Sequence, residues 1–135
     1  MIPTDGVLVG VYALIRDRDV IQVRRIAGHQ MDQRGARTVQ KTRFVTAVSE
    51  IARNVVMHGG GGEARIYIHS APSAISVICT DNGPGIADMQ AAFRDGFSTA
   101  GSMGRGLGGA KRLSDELELV SEDGKGTRVT MMARI

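Results

Sequence analysis

The chain has 135 residues, of which 42% are hydrophobic and 23% are charged. This composition is ordinary for a globular protein and excludes a disordered tail or a fibre, and the length suits one domain spanning residues 1–135. No apolar stretch approaches the ~20 residues that a bilayer span needs. The first residues also lack the basic and then apolar pattern of a secretory signal. We therefore expect a soluble, cytoplasmic protein without a membrane partner.

Charge and cysteine content narrow the classes of function further. The chain carries 17 Lys and Arg against 14 Asp and Glu, a net charge of +3, which would suit an anionic ligand or an acidic protein partner. There is no basic run, and the few aromatic residues are not interleaved with the arginines, so we expect no nucleic-acid partner. Cys79 is the only cysteine and the three histidines are scattered, which argues against a Cys/His metal cage.

The first half of the chain predicts a strand followed by two helices. Residues 7–14 are rich in β-branched side chains and read as a strand. The apolar period then becomes helical, and Asp17 or Asp19 would cap this helix. A longer amphipathic helix is predicted for residues 38–58, because apolar residues follow helical spacing and a run of four glycines then stops it.

The second half of the chain is dominated by predicted strands. Alternating apolar residues, hairpin turns and short helical runs predict strands at 64–69, 75–80, 116–121 and 127–133 and short helices at 88–94 and 106–115. Strands joined by hairpins form an antiparallel or mixed sheet, and the amphipathic helices must cover one of its faces. The predicted fold class is α+β, a two-layer sandwich of a mixed, mostly antiparallel sheet covered on one face by helices.

The first candidate site is a pair of polar residues on the longer helix. Glu50 and Asn54 are four residues apart, so they share a helical face beside the apolar stripe. A carboxylate and an amide oxygen can hold a hard cation such as Mg²⁺, and the carboxylate can accept a proton. The alternative is an ordinary solvated pair on the edge of the helix.

The second candidate site is the sequence Asp-Asn-Gly-Pro-Gly at 81–85, directly after a predicted strand. Gly83 and Gly85 belong to tight-turn dipeptides, so the backbone reverses where Asp81 leaves the sheet. A carboxylate beside such a turn lets a flat ring approach the backbone and accepts a hydrogen bond from its exocyclic amine. The alternative is a plain β-turn.

The third candidate site is a glycine cluster before a helical run. Gly104, Gly106 and Gly108 would expose backbone amides to a phosphate group. The cluster departs from the P-loop pattern, since Ala110 separates the last glycine from Lys111. The alternative is an ordinary surface loop.

Taken together, the order Glu-x-x-Arg-Asn, Asp-x-Gly-x-Gly, Gly-x-Gly-Leu-Gly and Gly-Thr resembles the boxes of the GHKL (Bergerat) ATP-binding superfamily over nearly the whole chain. The strings Ser-Glu-Ile-Ala-Arg-Asn at 49–54 and Asp-Gly-Phe-Ser-Thr at 95–99 look closest to the RsbT-like serine kinases. Those kinases phosphorylate STAS-domain proteins of the stressosome and then switch partner to activate a PP2C-type phosphatase. The resemblance implies a Bergerat fold with ATP and Mg²⁺ as cofactors.

The resemblance also implies a role for each matching residue. Asn54 would ligate Mg²⁺, and Glu50 would be the general base. The nucleotide would be bound by residues in the adenine pocket and the phosphate loop, namely Asp81, Gly83, Gly85, Gly104, Arg105, Gly106, Leu107, Gly108 and Thr127. Arg105 departs from the usual pattern and would contact phosphate or a partner, or be a solvated loop residue.

The implied function is an ATP-dependent protein serine/threonine kinase that acts by partner switching. One alternative is an anti-sigma-factor kinase of the same superfamily. Another is a nucleotide-gated binding module without turnover, and Glu50 discriminates against it because a pure binder needs no base. Histidine-kinase and gyrase-like relatives are disfavoured, since we see neither a dimerising phosphoacceptor helix nor a transducer domain in the sequence.

Overall fold

The computed structural model describes residues 5–83, 106–121 and 126–135. The helix predicted at 88–94 lies outside the described residues. The described strands are β1 (Val7–Leu14), β2 (Gly62–Ser70), β3 (Ser73–Asp81), β4 (Glu116–Ser121) and β5 (Thr127–Arg134). The described helices are α1 (Asp17–Gln33), α2 (Thr38–His58) and α3 (Leu107–Leu113). None of these helices is long and apolar enough to cross a membrane.

The five described strands form one open sheet in the order β1-β2-β3-β5-β4. Each described pair of neighbours is antiparallel. The mixed pairing that the sequence allowed does not occur among them. The predicted α+β class is confirmed, and the hairpins β2–β3 and β4–β5 come together because β5 pairs with β3.

The core lies between the sheet and the two long helices. Alternation in β2 and β3 places Ile66 opposite Val77 and Ile68 opposite Ile75, and all four side chains are buried. The helices bury the predicted apolar stripes against this face, which are Val20, Val23, Ala27 and Met31 of α1 and Phe44, Val48, Ile51 and Val55 of α2. The helical periods therefore determine which helix faces meet the sheet.

The start of α1 differs from the prediction. Arg16 occupies the N-cap position, so neither Asp17 nor Asp19 does, and that prediction is wrong. Asp19 lies one turn inside the helix, where its Oδ2 accepts hydrogen bonds from the backbone N–H groups of Ile15 and Arg16, both at 2.9 Å. These backbone hydrogen bonds lower the pKa of Asp19. The aspartate still satisfies free amides at the helix start, but from the third helical position.

Strand β2 begins two residues earlier than predicted, because Gly62 pairs with Leu14 on one side and Asp81 on the other. A Cβ atom on Gly62 would lie 1.8 Å from the carbonyl oxygen of Thr80, so only glycine fits between these strands. The glycine run therefore ends α2 and also lets the sheet close tightly around Asp81.

Candidate functional site

Asp81 ends β3 in the middle of the sheet, with Gly62 on one side and Thr127 on the other. Only 6% of the residue is exposed. Its Oδ1 accepts a hydrogen bond of 2.8 Å from the backbone N–H of Gly83. Its Oδ2 is buried, and none of the described residues donates a hydrogen bond to it. Because a buried carboxylate oxygen without a donor is unfavourable, this atom is where an external N–H donor would gain most.

Burial raises the pKa of the Asp81 carboxyl above its ordinary value of 3.8. The backbone groups of Gly83 and Thr127 act in the opposite direction and reduce the shift. The ionised carboxylate is thus incompletely stabilised by the protein alone. An amine that donates to Oδ2 would stabilise the ionised form further.

Glycine backbones enclose the Asp81 side chain. A Cβ on Gly59 would lie 2.7 Å from Asp81 Cγ, and one on Gly83 would lie 2.8 Å from the carbonyl oxygen of Gly59. Gly126 has φ +90°, and its Cβ would lie 2.3 Å from the Asp81 carbonyl oxygen. Glycine is therefore required where Gly59 and Gly83 pack around the Asp81 carboxyl and where Gly126 packs against the Asp81 backbone.

Three cavities of about 500, 420 and 390 Å³ open beside this enclosure, and Asn82 lines all of them. Two of them are also lined by Asp81, and one by Gly59 and Gly83. Volumes of this order are typical of small-molecule sites. Asp81, whose Oδ2 has no donor among the described residues, therefore borders open space large enough for a planar ligand.

Thr127 is buried next to Asp81, and its hydroxyl belongs to a short polar chain. Ser121 Oγ donates to the carbonyl oxygen of Gly126 at 3.2 Å and lies 3.0 Å from Thr127 Oγ1. If Ser121 donates to Gly126, the Thr127 hydroxyl donates to Ser121, which leaves its lone pairs available. No sequence motif marks Ser121. Its position opposite Thr127 in the β4–β5 pair identifies it as part of the candidate site.

Glu50 and Asn54 extend the site along α2. Asn54 is 6% exposed, whereas the Glu50 side chain is 40% exposed and its Oε1 lies 3.4 Å from Arg53 Nη1. The backbone carbonyl of Asn54 accepts a hydrogen bond of 3.1 Å from the N–H of Gly59. At a rise of 1.5 Å per residue, roughly 13 Å along the helix axis separates Glu50 from Gly59. One helix therefore carries the polar pair at one point and reaches the Asp81 enclosure at its end.

The glycine cluster meets Glu50 at the start of α3. Gly106 has φ +84°, and a Cβ there would lie 2.8 Å from Glu50 Oε2. The side chain of Leu107 is buried in the core, so any ligand contact of this residue would come from its backbone. Gly108 is also buried. The predicted site residues Gly85, Gly104 and Arg105 lie outside the described residues.

Arg43 fixes the other end of α3. Its Nη2 donates a hydrogen bond of 2.9 Å to the carbonyl oxygen of Arg112. This carbonyl lies in the last turn of α3, where backbone acceptors have no partner within the helix. α2 therefore lies against both ends of α3, with Glu50 beside Gly106 at one end and the hydrogen bond from Arg43 at the other.

The donor set on α2 suits a hard cation better than a protein-built metal cage. Within residues 5–83, 106–121 and 126–135, no group of three or more His, Cys, Asp or Glu side chains could hold a metal ion. Mg²⁺ commonly takes one or two protein oxygens together with phosphate oxygens and water. An amide oxygen at Asn54 with a carboxylate one turn away fits this mode of binding.

A model of the histidine kinase-like ATPase domain matches residues 15–133. This match covers most of the chain, so the chain belongs to the histidine kinase-like ATPase family, within the GHKL-type domains.

Individual proteins within this family are similar to the chain. The serine/threonine-protein kinase RsbT of Bacillus subtilis is 36% identical over 118 residues, which are 86% of this chain and 89% of that protein. The anti-sigma F factor of Clostridium perfringens strain SM101 is 31% identical over 101 residues, covering 70% of this chain and 72% of that protein. The solved RsbU and RsbW domains of Rv1364c from Mycobacterium tuberculosis superpose with a TM-score of 0.64 at 17% identity. That superposition covers 98% of this chain and 33% of the other, and it establishes a common fold.

Proposed function

We propose that the chain is an ATP-dependent protein serine/threonine kinase that phosphorylates STAS-domain proteins and regulates a stress or signalling pathway by switching partners. The observation that carries the proposal is Asp81 Oδ2, a buried carboxylate oxygen without a donor among the described residues, enclosed by glycines. The relative from Bacillus subtilis, named a serine/threonine-protein kinase, supports the reaction class.

In this proposal Asp81 recognises the adenine ring. Its Oδ2 accepts a hydrogen bond from the exocyclic amine, which supplies the donor that the described residues do not. Gly83 and Gly85 would contribute to the adenine pocket, and the Thr127 hydroxyl would support the contact from β5. The glycine backbones at Gly59 and Gly126 keep side chains out of the ring's path.

The phosphate groups and Mg²⁺ would be bound by residues of α2 and of the glycine cluster. Asn54 would offer an amide oxygen to the cation, and residues 104–108, including Arg105 and Leu107, would bind the phosphates. Phosphoryl transfer depends mainly on positioning and on neutralising charge. The anchoring of α3 by Arg43 serves the first of these requirements.

Bound Mg²⁺-ATP supplies the phosphoryl group, and Glu50 acts on the acceptor. The Glu50 carboxylate would accept the proton of the serine or threonine hydroxyl as its oxygen bonds to the γ-phosphorus, while the bond from that phosphorus to the β,γ-bridging oxygen breaks and ADP leaves. Arg53, 3.4 Å from Glu50 Oε1, helps to orient this carboxylate. The partial exposure of Glu50 leaves it accessible to a side chain from another protein.

A second candidate is an anti-sigma-factor kinase, because the relatives from Clostridium perfringens are named anti-sigma F factors. Both candidates share the ATP site and the reaction and differ in partner. A PP2C-type phosphatase is the proposed second partner of the first candidate. For either, we propose a single cytoplasmic domain that uses neither nucleic acid nor a membrane.

Phosphotransfer tests the proposal. The protein is incubated with γ-labelled ATP, Mg²⁺ and a STAS-domain protein encoded near its gene, with and without EDTA. We expect Mg²⁺-dependent label on a serine or threonine of the partner, as a phosphomonoester that survives acid. Acid-labile label, or no transfer to any STAS-domain candidate by a protein that binds ATP, would contradict it.

A further inference from the structure

A groove runs between α1 and α2 on the side facing away from the sheet. Its larger part, about 740 Å³, lies between the second half of α1 and the first half of α2. A further hollow of about 310 Å³ continues it toward the start of α1, and Ile21 and Arg24 line both parts. The lining residues of α1 extend from Asp17 to Asp32, which is roughly 22 Å at 1.5 Å per residue. The groove is therefore long enough for several helical turns.

The groove exposes apolar side chains that the chain itself does not cover. Ile21 is 64% exposed and Met57 is 61% exposed, and Val45 contributes to the larger hollow. None of these residues borders the cavities beside Asp81. The larger part of the groove thus lies apart from those cavities, whereas the smaller part is also lined by Arg53, which contacts Glu50. Exposed apolar area of this kind favours a protein ligand.

The charges along the groove are predominantly positive. Arg24 and Arg25 line it and have no ion pair or hydrogen bond among the described residues. By contrast, Lys41 is neutralised by Asp32, with Nζ 2.9 Å from Oδ1. Two adjacent guanidinium groups beside an exposed isoleucine form a site for carboxylates attached to an apolar surface.

We propose that this groove docks an acidic amphipathic helix of a partner protein. A third helix packs into the seam of an antiparallel helix pair with its apolar residues against Ile21, Val45 and Met57, while its carboxylates meet Arg24 and Arg25. A bilayer is flat and would not fill a concave seam. A nucleic-acid backbone carries no apolar face to cover Ile21 and Met57, which are 64% and 61% exposed.

The probe is a fluorescent helical peptide of about 15 residues with leucines on one face and glutamates beside them. The control peptide has lysine in place of each glutamate. Binding is measured by anisotropy without nucleotide, so the result does not depend on the proposed kinase activity. A second readout is acrylodan attached to Thr46→Cys in the groove. The one natural cysteine, Cys79, is fully buried and burial raises its pKa to about 12, so it stays unlabelled.

Two charge-matched double variants locate the binding. Arg24→Glu/Arg25→Glu reverses the groove charges, whereas Arg18→Glu/Arg37→Glu makes the same charge change at exposed residues that do not line it. We expect the groove variant to weaken the acidic peptide by about tenfold or more, and the control variant by no more than about twofold. Acrylodan at Thr46→Cys should shift to the blue on binding. Circular dichroism checks folding, and Arg24→Gln/Arg25→Gln replaces the reversal variant if that one does not fold.

The same experiments can overturn the proposal. Equal weakening by the two double variants, or equal binding of the lysine peptide, would mean unspecific attraction. No acrylodan shift during peptide binding would place the peptide elsewhere. A shift with vesicles of phosphatidylcholine and phosphatidylserine but not with the acidic peptide would assign the groove to a membrane surface instead.

Discussion

Asp81 combines two unequal oxygen atoms in one buried carboxyl group. Oδ1 is satisfied by Gly83, whereas Oδ2 has no donor among the described residues. A buried oxygen without a hydrogen bond destabilises the fold, and a ligand that donates a hydrogen bond to this oxygen gains binding free energy. Asp81 therefore affects the stability of the fold as well as the recognition of a ligand.

The stability of the protein should depend on pH through Asp81. Burial raises the pKa of its carboxyl in the folded state above 3.8, so the folded state holds this proton more tightly than the unfolded state. The stabilisation is present below the unfolded pKa and is lost as the pH rises through the folded pKa. We expect the free energy of unfolding of the wild type, relative to Asp81→Asn, to fall as the pH rises from below 3.8 through the folded-state pKa of Asp81. Urea unfolding of both proteins measures it, and a difference that rises with pH would contradict the assignment.

Glu50 should matter for chemistry and little for affinity. Its carboxylate lies beside Gly106 and is partly exposed, which suits a base that meets an external hydroxyl. Glu50→Ala should reduce the phosphotransfer rate by about 10²- to 10⁴-fold and leave ATP affinity nearly unchanged. Single-turnover kinetics and calorimetry separate the two effects.

The matched control for this variant is Glu118→Ala, which removes an exposed carboxylate on β4. It should leave both quantities unchanged. If Glu50→Ala transfers phosphate at the rate of the wild type, the Glu50 and Asn54 pair is an ordinary polar edge of α2.

At the residue scale, the sequence predicts the polar side chains of the candidate site but not the backbone that packs against them. Asp81 and Asn54 stand out as polar residues beside apolar runs, and both are buried in the structure. Gly59 was interpreted only as a helix stop, although it lies against the Asp81 carboxyl. A contact between residues so far apart in the chain depends on strand register, which local spacing does not specify.

At the scale of elements, periodicity predicted the helices and strands well and their ends less well. α2 has the predicted bounds because the glycine run ends it, and the apolar stripes of α1 and α2 are buried as expected. The predicted N-cap of α1 is wrong because an aspartate can accept hydrogen bonds from the first amides of a helix at its third position as well as at the N-cap. The pairing of β5 with β3 is a long-range feature that the hairpins alone leave open.

The junction between α2 and the glycine run offers a sharp steric test. Gly59 has φ −89° and ψ −4°, which alanine adopts without strain, yet its Cβ would lie 2.7 Å from Asp81 Cγ. Gly59→Ala should therefore displace the carboxyl and weaken ATP binding by about tenfold or more, since a hydrogen bond to a charged group is lost. Calorimetry with ATP and Mg²⁺ measures this change.

Gly28→Ala is the matched glycine substitution. Its Cβ would meet Val45 Cγ1 of α2 at 3.6 Å, an ordinary van der Waals contact between the two helices. This variant should stabilise the fold by roughly 0.5–1 kcal/mol through helix propensity and leave ATP affinity unchanged. Loss of ATP affinity in both variants would point to a general effect of glycine removal and against the Asp81 enclosure.

At the scale of the whole molecule, the proposed kinase must release its product to switch partners. Phosphorylation adds a charge of about −1.5 to −2 at the contact surface of the STAS-domain protein. We expect the phosphorylated form to bind this kinase more weakly than the unmodified form, as measured by surface plasmon resonance with both forms. A partner whose affinity is indifferent to phosphorylation would contradict partner switching and favour a nucleotide sensor.

Recognition of adenine by Asp81 is the central claim, and a comparison of ATP with inosine triphosphate tests it most directly. The inosine base carries an oxygen where adenine carries the amine, so it would place an acceptor against the unpaired Asp81 Oδ2. Calorimetry on the wild type should show ATP binding at least about tenfold more tightly, and Asp81→Asn should lose most of this preference. Equal affinity of the folded wild type for the two nucleotides would contradict the assignment of this pocket to adenine.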